Sequence, residues 1–177
     1  MMLTQDSADQ DLDRFDRAIL AALAADARIS IADLAPRIGL SSTACARRLK
    51  ALEERRIIQG YHATLDHQRL GFSATVLVRI SLESQREEDF EAFERAVGQC
   101  TSVVRCYLMS GNDDYQLVVL CRDIADFEHI HKTQLARLPR VARIQSSFAL
   151  RAVIDRNLPA ALLGPISGRR PGGLRRK

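Results

Sequence analysis

The chain has 177 residues, of which 46% are hydrophobic and 27% are charged, and its formal net charge is +4. This composition is ordinary for a globular protein, and the length allows one medium domain or two small ones. The sequence has no apolar run long enough to span a bilayer, and its first ten residues lack the basic and then apolar pattern of a signal peptide. We therefore expect a cytoplasmic protein without a membrane partner.

The positive charge is concentrated at the end of the chain. Residues 156–177 hold six basic and no acidic residues, whereas residues 1–56 hold nine of each. The glycine, proline and arginine content predicts a basic, disordered tail over residues 155–177, which either contacts nucleic acid non-specifically or only improves solubility. Residues 1–10 are predicted to be a disordered N-terminus. Net charge alone is therefore weak evidence for a nucleic-acid partner.

Two helices are predicted first in chain order. The apolar positions of the first helix are Leu12, Phe15, Ile19 and Leu23. Asp11 or Asp13 would cap this helix, and Ser30 is a good N-cap for the second one. Gly39 suits the positive φ at the end of the second helix. Pro36 lies inside the second helix and removes a backbone hydrogen bond, so we expect that helix to bend or to start late.

The third predicted helix carries the clearest functional pattern. Ser41 or Ser42 would cap it, and Cys45, Leu49 and Leu52 recur at helical spacing and so face inward. Residues 41–56 hold five basic and two acidic residues. The candidate DNA-contacting residues are Ser42, Thr43, Arg47 and Lys50 on the outer face, and Arg48 nearer the packed side.

Two short helices joined by a tight turn, with basic residues outside on the second, are typical of a helix-turn-helix that enters the DNA major groove. We assign this winged-helix-like DNA-binding domain to residues 11–57. The alternative interpretation is three ordinary amphipathic helices whose basic residues form a solvated face. Residues 57–65 are strand-like and residues 66–71 are loop-like, so residues 58–72 are predicted to form a connecting strand and linker.

A second domain is predicted over residues 73–154. Its pattern alternates strand, helix, strand, strand, helix and strand, which indicates a ferredoxin-like βαββαβ unit with two helices on one face of an antiparallel sheet. The expected fold class is therefore α+β. In this domain the second helix is expected to run from Asp123 to Pro139, and the last strand to reach Leu150. Several apolar residues are expected on the open sheet face, including some of Leu77, Val118 and Leu120. Their exposure predicts that this face is buried against a second subunit.

No metal, cofactor or catalytic site is predicted. The four cysteines, Cys45, Cys100, Cys106 and Cys121, form no C-x-x-C pair and have no histidine cluster beside them. Each lies in an apolar pattern, so we interpret them as small buried hydrophobic residues in a reducing compartment.

Motifs spaced along residues 12–153 resemble those of the Lrp/AsnC, or feast/famine, family of transcriptional regulators. Residues 12–20 are similar to the first helix of that family, and residues 39–48 resemble its G-L-S-x-T-x-C-x-x-R signature. Residues 110–115 resemble its S-G-x-x-D-Y effector loop, and residues 138–141 its L-P-G-V turn. The chain departs from the family pattern at Ser42, where proline is frequent, and at Asn112, where some members carry an acidic residue.

The resemblance implies a DNA-binding regulator and not an enzyme, cytoplasmic and associated with the nucleoid. It implies a homodimer that assembles further into tetramers or octamers. It also implies a small effector, an amino acid, bound between the C-terminal RAM/ACT-like domains. The effector positions that it implies are Leu108, Gly111, Asn112, Asp113, Asp114, Tyr115, Ile124, Ser147, Phe148 and Ala149. Asp113 or Asp114 would take the ammonium group and turn N–H groups the carboxylate; the alternative is a plain hairpin turn.

Three other interpretations remain open from the sequence. One is an architectural DNA-binding protein without an effector. Another is an enzyme similar to decarboxylases of tetrapyrrole precursors, which rely on histidines; here His129 and His131 are predicted on different helix faces. The third is an RNA-binding module, since βαββαβ is also the RNA-recognition layout, but the central strands lack its aromatic and basic signature.

Overall fold

The computed structural model describes residues 12–155 and residue 163, which fall into two compact units. One unit contains the described residues up to Ala63 and those from Ile154 onward, and the other is Thr64–Val153. The division lies inside the predicted linker. The predicted disordered N-terminus and nearly all of the predicted basic tail lie outside the described residues. Within the described part of the chain, every helix is too short or too polar to cross a membrane.

The first unit consists of three helices. They are α1 (Arg14–Ala25), α2 (Ile31–Ile38) and α3 (Ser42–Glu54). Of the alternative caps, the structure selects Asp13 for α1 and Ser41 for α3, while Ser30 caps α2 as expected. Each of these side chains accepts backbone N–H groups of the first helical turn, which have no acceptor within their own helix.

Helix α2 begins directly after Ser30, so the expected late start is wrong. Pro36 lies in the last part of the helix, where its missing N–H affects a single bond to the preceding turn. Gly39 then ends the helix with φ 73°, and its N–H donates to the carbonyls of Ala35 and Pro36. A strong cap at the start and a left-handed glycine at the end therefore hold this short helix in place.

The three helices enclose a small apolar core. Its fully buried residues are Ile19, Leu34, Ala35, Cys45 and Leu52. The inward positions predicted for α3 are confirmed, with Leu49 partly buried beside this core. Because the face of α3 that carries Cys45, Leu49 and Leu52 packs on the core, the opposite face of the helix is directed to solvent.

The predicted connecting strand over residues 57–65 is absent from the structure, which shows no strand between α3 and Ala74. A strand needs a neighbouring strand to take its backbone N–H and C=O groups. The four described strands pair only with one another, so this segment has no ladder partner in one chain. Ile57 and Ile58 pack partly against the core of the first unit, whereas Tyr61 is 46% and Leu65 57% exposed.

The second unit has the predicted βαββαβ order. Its elements are β1 (Ala74–Leu82), α4 (Glu87–Val97), β2 (Val103–Leu108), β3 (Tyr115–Cys121), α5 (Ile124–Thr133) and β4 (Val141–Phe148). The strands form one antiparallel sheet in the order β2-β3-β1-β4. Helices α4 and α5 contribute Phe93, Val97, Phe127 and Ile130 to a core with alternate residues of β1 and β3. One face of the sheet is thereby covered.

The opposite sheet face is open in the single chain. Leu77 on β1 is 41% exposed, and its neighbours Val118 and Leu120 on β3 are partly exposed, as expected. Arg79 and Arg143 also belong to this face, because their register partners Gln116 and Ser81 alternate with core residues. The open face thus combines an apolar centre with basic side chains.

Three details of the second unit differ from the predictions. Helix α5 ends at Thr133, where Gln134 leaves the regular helix with φ −117°, and a 3₁₀ turn follows over Leu135–Arg137. Leu138 is extended because it precedes Pro139, so no helical backbone continues to the proline. Leu150 lies beyond β4 and is 99% exposed. Cys106 is exposed, because β2 is an edge strand, whereas Cys45 and Cys121 are buried and Cys100 is partly so.

Candidate functional site

The outer face of α3 presents a row of exposed polar side chains. Ser42, Thr43, Arg47 and Lys50 are all exposed, and three of them follow the helical spacing 43, 47 and 50. The amine of Lys50 lies 3.6 Å from a carboxylate oxygen of Glu54, both side chains being well exposed, so the pair is weak and leaves the amine accessible. This row can reach phosphates and base edges.

Sequence reasoning missed Ala46 on this face. It is exposed and lies one helical turn from Ser42 and from Lys50. Its spacing of four residues from Ser42 already indicated that it lies on the same face of the helix. A methyl group at this position leaves room for the helix to approach a groove closely, and its apolar surface suits a thymine methyl group.

Arg48, which was predicted to contact DNA from a position nearer the packed side, does not belong to the exposed row. Its Nη1 lies 2.7 Å from Asp13 Oδ2 and 2.8 Å from Asp16 Oδ1. Its guanidinium also stacks over the ring of Phe15, with Cζ 5.3 Å from the ring centroid. The side chain turns toward α1 because two carboxylates and an aromatic face attract it there.

The predicted effector loop between β2 and β3 is held by Asp114, which is only 7% exposed. The Asp114 carboxylate accepts the backbone N–H of Leu82 at 2.7 Å and the Nε2 of Gln85 at 2.8 Å. Its own N–H donates to the carbonyl of Ile80, and its carbonyl accepts from Met109. Both carboxylate oxygens thus accept hydrogen bonds from the protein itself. These bonds account for the burial of the Asp114 side chain without any bound ligand.

Asp113 lies on the open sheet face instead of pointing out of the loop. Its Oδ1 accepts from Ser81 Oγ and from Arg143 Nη2, both at 3.2 Å, and its Oδ2 is 3.7 Å from Arg79 Nη1. One carboxylate therefore lies between two arginines and weakens the repulsion between them, and one positive charge of the cluster remains unbalanced. In this chain Asp113 is part of a charge cluster on the face that a second subunit is expected to cover.

The side chain of Tyr115 is in the core, with 1% exposed. Its hydroxyl donates to Glu94 Oε1 at 2.8 Å, and its ring centroid lies 4.4 Å from that of Phe93. Burial, and then the hydrogen bond to Glu94, raise the pKa of the hydroxyl, so it stays neutral at ordinary pH. Of the loop itself, Gly111 and Asn112 are exposed, as is Leu108 at the end of β2.

The remaining predicted effector positions lie at the other end of the sheet. Ile124 is 72% exposed at the start of α5, and Phe148 packs its ring 5.3 Å from that of Phe127. Ser147 and Ala149 are exposed, and the N–H of Ala149 donates to the carbonyl of Thr75 near the start of β1.

The two groups of effector positions are therefore not brought together within one chain. The loop adjoins the end of β1 through Leu82, whereas Ala149 adjoins its beginning through Thr75. At about 3.3 Å per residue, the intervening strand separates them by roughly 20 Å. A ligand of amino-acid size cannot span that distance, so a site that uses both groups requires two chains.

Other candidate sites receive little support from the described residues. They contain no cluster of three or more His, Cys, Asp or Glu residues placed to hold a metal ion. His129 is exposed, while His131 lies against Phe127, so the two rings are not paired. An open groove of about 280 Å³ lies between α4 and β2, but none of the predicted effector residues lines it.

Comparisons with known proteins agree with both units. Residues 12–53 match the family model of the AsnC-type helix-turn-helix domain, and residues 75–159 match that of the Lrp/AsnC ligand binding domain. The chain is 42% identical over 149 residues to the Bkd operon transcriptional regulator of Pseudomonas aeruginosa. The aligned residues cover 84% of this chain and 97% of that protein.

Two solved structures are similar over most of the chain. An AsnC family transcriptional regulator from Agrobacterium tumefaciens aligns with a TM-score of 0.80 and 35% identity, over 85% of this chain and 99% of that one. A transcriptional regulator from Neisseria meningitidis, solved as a complex with L-methionine, aligns with a TM-score of 0.79 and 30% identity, over 86% and 99% of the two chains.

Proposed function

Because the chain belongs to the Lrp/AsnC family of DNA-binding transcriptional regulators, we propose that it reads a specific DNA sequence through α3 and responds to an amino acid bound between C-terminal domains of different subunits. It is a homodimer or a higher assembly of dimers in this proposal. It works in the cytoplasm, associated with the nucleoid, where its DNA target lies.

The exposed row on α3 is the observation that carries the DNA-binding proposal. Arg47 and Lys50 supply positive charge for phosphates, and Ser42 and Thr43 supply hydroxyl groups at the helix N-terminus. The first backbone N–H groups of a helix have no acceptor in a preceding turn and favour an anion such as phosphate. Such contacts fix the register of the helix, while base edges in the groove provide sequence specificity.

The open sheet face supports an assembly of at least two chains. Leu77 and its neighbours on β3 leave apolar surface in water that a second subunit would cover. A symmetric dimer places two copies of α3 on DNA, and it reads two half-sites separated by about one helical turn or a multiple of it.

The separation of the effector positions supports a ligand site shared between chains. The Neisseria meningitidis regulator contains L-methionine, and we extend the class of ligand, an amino acid, to this chain. Turn N–H groups near Gly111 and Asn112 suit the carboxylate of such a ligand. The exposed Ile124 of a neighbouring chain offers an apolar contact for its side chain.

The proposed function is tested by DNA binding of the purified protein. Binding is measured to DNA from upstream of its own gene and of the adjacent gene, and to a random fragment of equal length at the same salt concentration. We expect a preference of about 10³ or more for one of the upstream fragments. We also expect this affinity to change when a mixture of amino acids is added.

The same experiment separates the proposal from an architectural role. An architectural protein neutralises phosphates without reading bases, so it binds both fragments with similar affinity. Equal binding to the upstream and random fragments would contradict sequence-specific regulation. Specific binding whose affinity does not change with any amino acid would contradict only the proposed response to an amino-acid effector.

A further inference from the structure

One arginine of α3 is turned away from the exposed row and joins α3 to α1. The guanidinium of Arg48 contacts Asp13 at 2.7 Å and Asp16 at 2.8 Å, and it lies over the ring of Phe15. Its side chain is 28% exposed, and that of Asp16 only 10%. We name these four residues the Arg48 clamp.

The two carboxylates of the clamp are themselves held rigidly. Asp13 Oδ1 accepts the backbone N–H groups of Phe15 and Asp16, and Asp16 Oδ2 accepts the N–H of Asp13 in return. Burial raises the pKa of Asp13, but the backbone hydrogen bonds and Arg48 outweigh it, so the pKa lies below its usual value. Arg48 therefore binds to a preformed anionic site at the first turn of α1.

Near the clamp, the contacts that α3 makes with the core of the first unit are apolar, while at its far end Glu53 accepts a hydrogen bond from the hydroxyl of Tyr61. Cys45, Leu49 and Leu52 pack into the core beside Ile19 and Leu34. Such burial is non-directional and tolerates small rotations of a helix about its axis. A charge-assisted hydrogen bond to two fixed carboxylates is directional, so it restricts the rotation that apolar packing leaves open.

We propose that Arg48 is a positioning residue for DNA recognition: through the clamp it fixes the rotation of α3, and it does not itself contact DNA. The proposal rests on the proposed function and assigns a different role to each of two adjacent arginines. Arg47 neutralises phosphate, whereas Arg48 keeps Thr43, Arg47 and Lys50 aimed at the groove. Base readout depends on side-chain geometry to within about 0.5 Å, while phosphate attraction tolerates larger errors.

The test compares Arg48→Met, which keeps an unbranched apolar side chain, with Arg47→Met as the matched control. Affinities for the upstream fragment and for a random duplex are measured at several salt concentrations. For Arg48→Met we expect the preference for the upstream fragment to fall about tenfold or more. The slope of log affinity against log salt on the random duplex should stay at the wild-type value. For Arg47→Met the slope should decrease by about one.

Two further variants keep the test decisive if Arg48→Met does not fold. Arg48→Lys can still reach one carboxylate, so it should recover part of the preference. The double variant with Asp13→Asn and Asp16→Asn keeps capping oxygens at the start of α1 but removes the charges that hold Arg48. We expect it to bind random duplex more tightly, with a steeper salt slope, and to lose preference for the upstream fragment.

Three results would overturn the inference. A slope that falls by about one in Arg48→Met would show that Arg48 contacts phosphate directly. An unchanged preference in both Arg48→Met and the double variant would show that the clamp does not position α3. A wild-type protein without any preference between the fragments would instead contradict the proposed function, and the clamp would lose its premise.

Discussion

At the scale of single residues, two neighbouring arginines of α3 have different surroundings. Arg47 and Arg48 are adjacent, and both belong to a basic stretch, but one faces solvent and the other faces α1. Helical spacing already placed Arg48 nearer the packed side. Its partners could not be identified from spacing, because Asp13 and Asp16 are more than thirty positions away in the chain and contact it only through the fold.

The aspartates of the effector loop show the same limit. The turn residues Gly111 to Asp114 are recognisable from composition, but composition does not tell which carboxylate is buried. Asp114 is used by Leu82 and Gln85, so replacing it by alanine would remove the support of the loop along with any ligand contact. Exposed positions of the loop are better probes of an effector.

Each basic residue of the exposed row should contribute one unit of salt dependence. Arg47→Ala and Lys50→Ala are each expected to weaken binding to the upstream fragment and to reduce the slope of log affinity against log salt by about one. The reason is that each lost phosphate contact leaves its counterions on the DNA. The measurement is a binding titration at several salt concentrations.

Arg28→Ala is the matched control for these variants. Arg28 is an exposed arginine of the same unit, in the loop between α1 and α2, and it is absent from the α3 row. Its replacement should leave the slope at the wild-type value. Equal slope changes for Arg28, Arg47 and Lys50 would mean that general charge, and not α3, binds the DNA.

At the scale of elements, most of the fold follows from periodicity and capping residues. The three helices, the βαββαβ order and the inward positions of α3 were predictable because burial imposes a period of 3.6 on helices and of 2 on strands. The capping choice between Ser41 and Ser42 was left open, since either hydroxyl fits and only the backbone geometry decides. The early end of α5 at Thr133 could not be predicted from periodicity, because apolar residues continue at helical spacing to Leu138.

The strand predicted over residues 57–65 failed for a different reason. The segment is strand-like in its residues, but a ladder needs a second strand, and the four strands of the second unit pair only among themselves. The residue pattern shows that a segment can form a β-strand, but it does not show whether a neighbouring strand is available for pairing. In one chain the first two residues of this segment pack against the core of the first unit, and Tyr61 and Leu65 remain exposed.

The turn between α2 and α3 depends on one glycine with a left-handed backbone. Gly39 has φ 73°, and a Cβ built there meets no heavy atom within 4 Å. Gly39→Ala should therefore lower the free energy of unfolding by about 1–2 kcal/mol through backbone strain alone. Chemical denaturation followed by circular dichroism measures this loss.

Gly98→Ala is the control for the strain argument. Gly98 also follows a helix, but its φ is −61°, and a Cβ there meets only ordinary contacts from 3.4 Å. This substitution should change the free energy of unfolding by less than about 0.5 kcal/mol. A Gly39→Ala protein as stable as the Gly98→Ala protein would show that the left-handed conformation is not required at the turn.

At the scale of the whole molecule, the predicted effector positions of one chain lie in two groups at opposite ends of one sheet. The Gly111 loop adjoins the end of β1, and Ile124 with Ala149 adjoins its beginning. In the proposed assembly, unlike ends of different chains meet, so that each complete site also links two chains. The effector and the assembly are therefore coupled in this account, because a ligand that bridges two chains stabilises their contact.

Two single variants each remove one half of the shared site. Gly111→Trp places a large side chain at the loop, where a Cβ meets nothing within 4 Å of its own chain, so the fold should tolerate it. Ile124→Asp removes the apolar contact at the other end, where the side chain is 72% exposed. Each variant alone should bind the upstream fragment but fail to respond to amino acids. Thermal unfolding at the wild-type temperature is the control for an intact fold.

The most direct test is the amino-acid response of assemblies that contain both variants. The two variant chains are co-expressed, and binding to the upstream fragment is titrated with and without the amino-acid mixture, beside wild type and each variant alone. The account predicts that mixed assemblies recover a substantial part of the wild-type response, because neighbouring chains then supply one intact loop and one intact Ile124. Mixed assemblies that respond no better than either single variant would contradict it, since the two groups would then act within one chain or not at all.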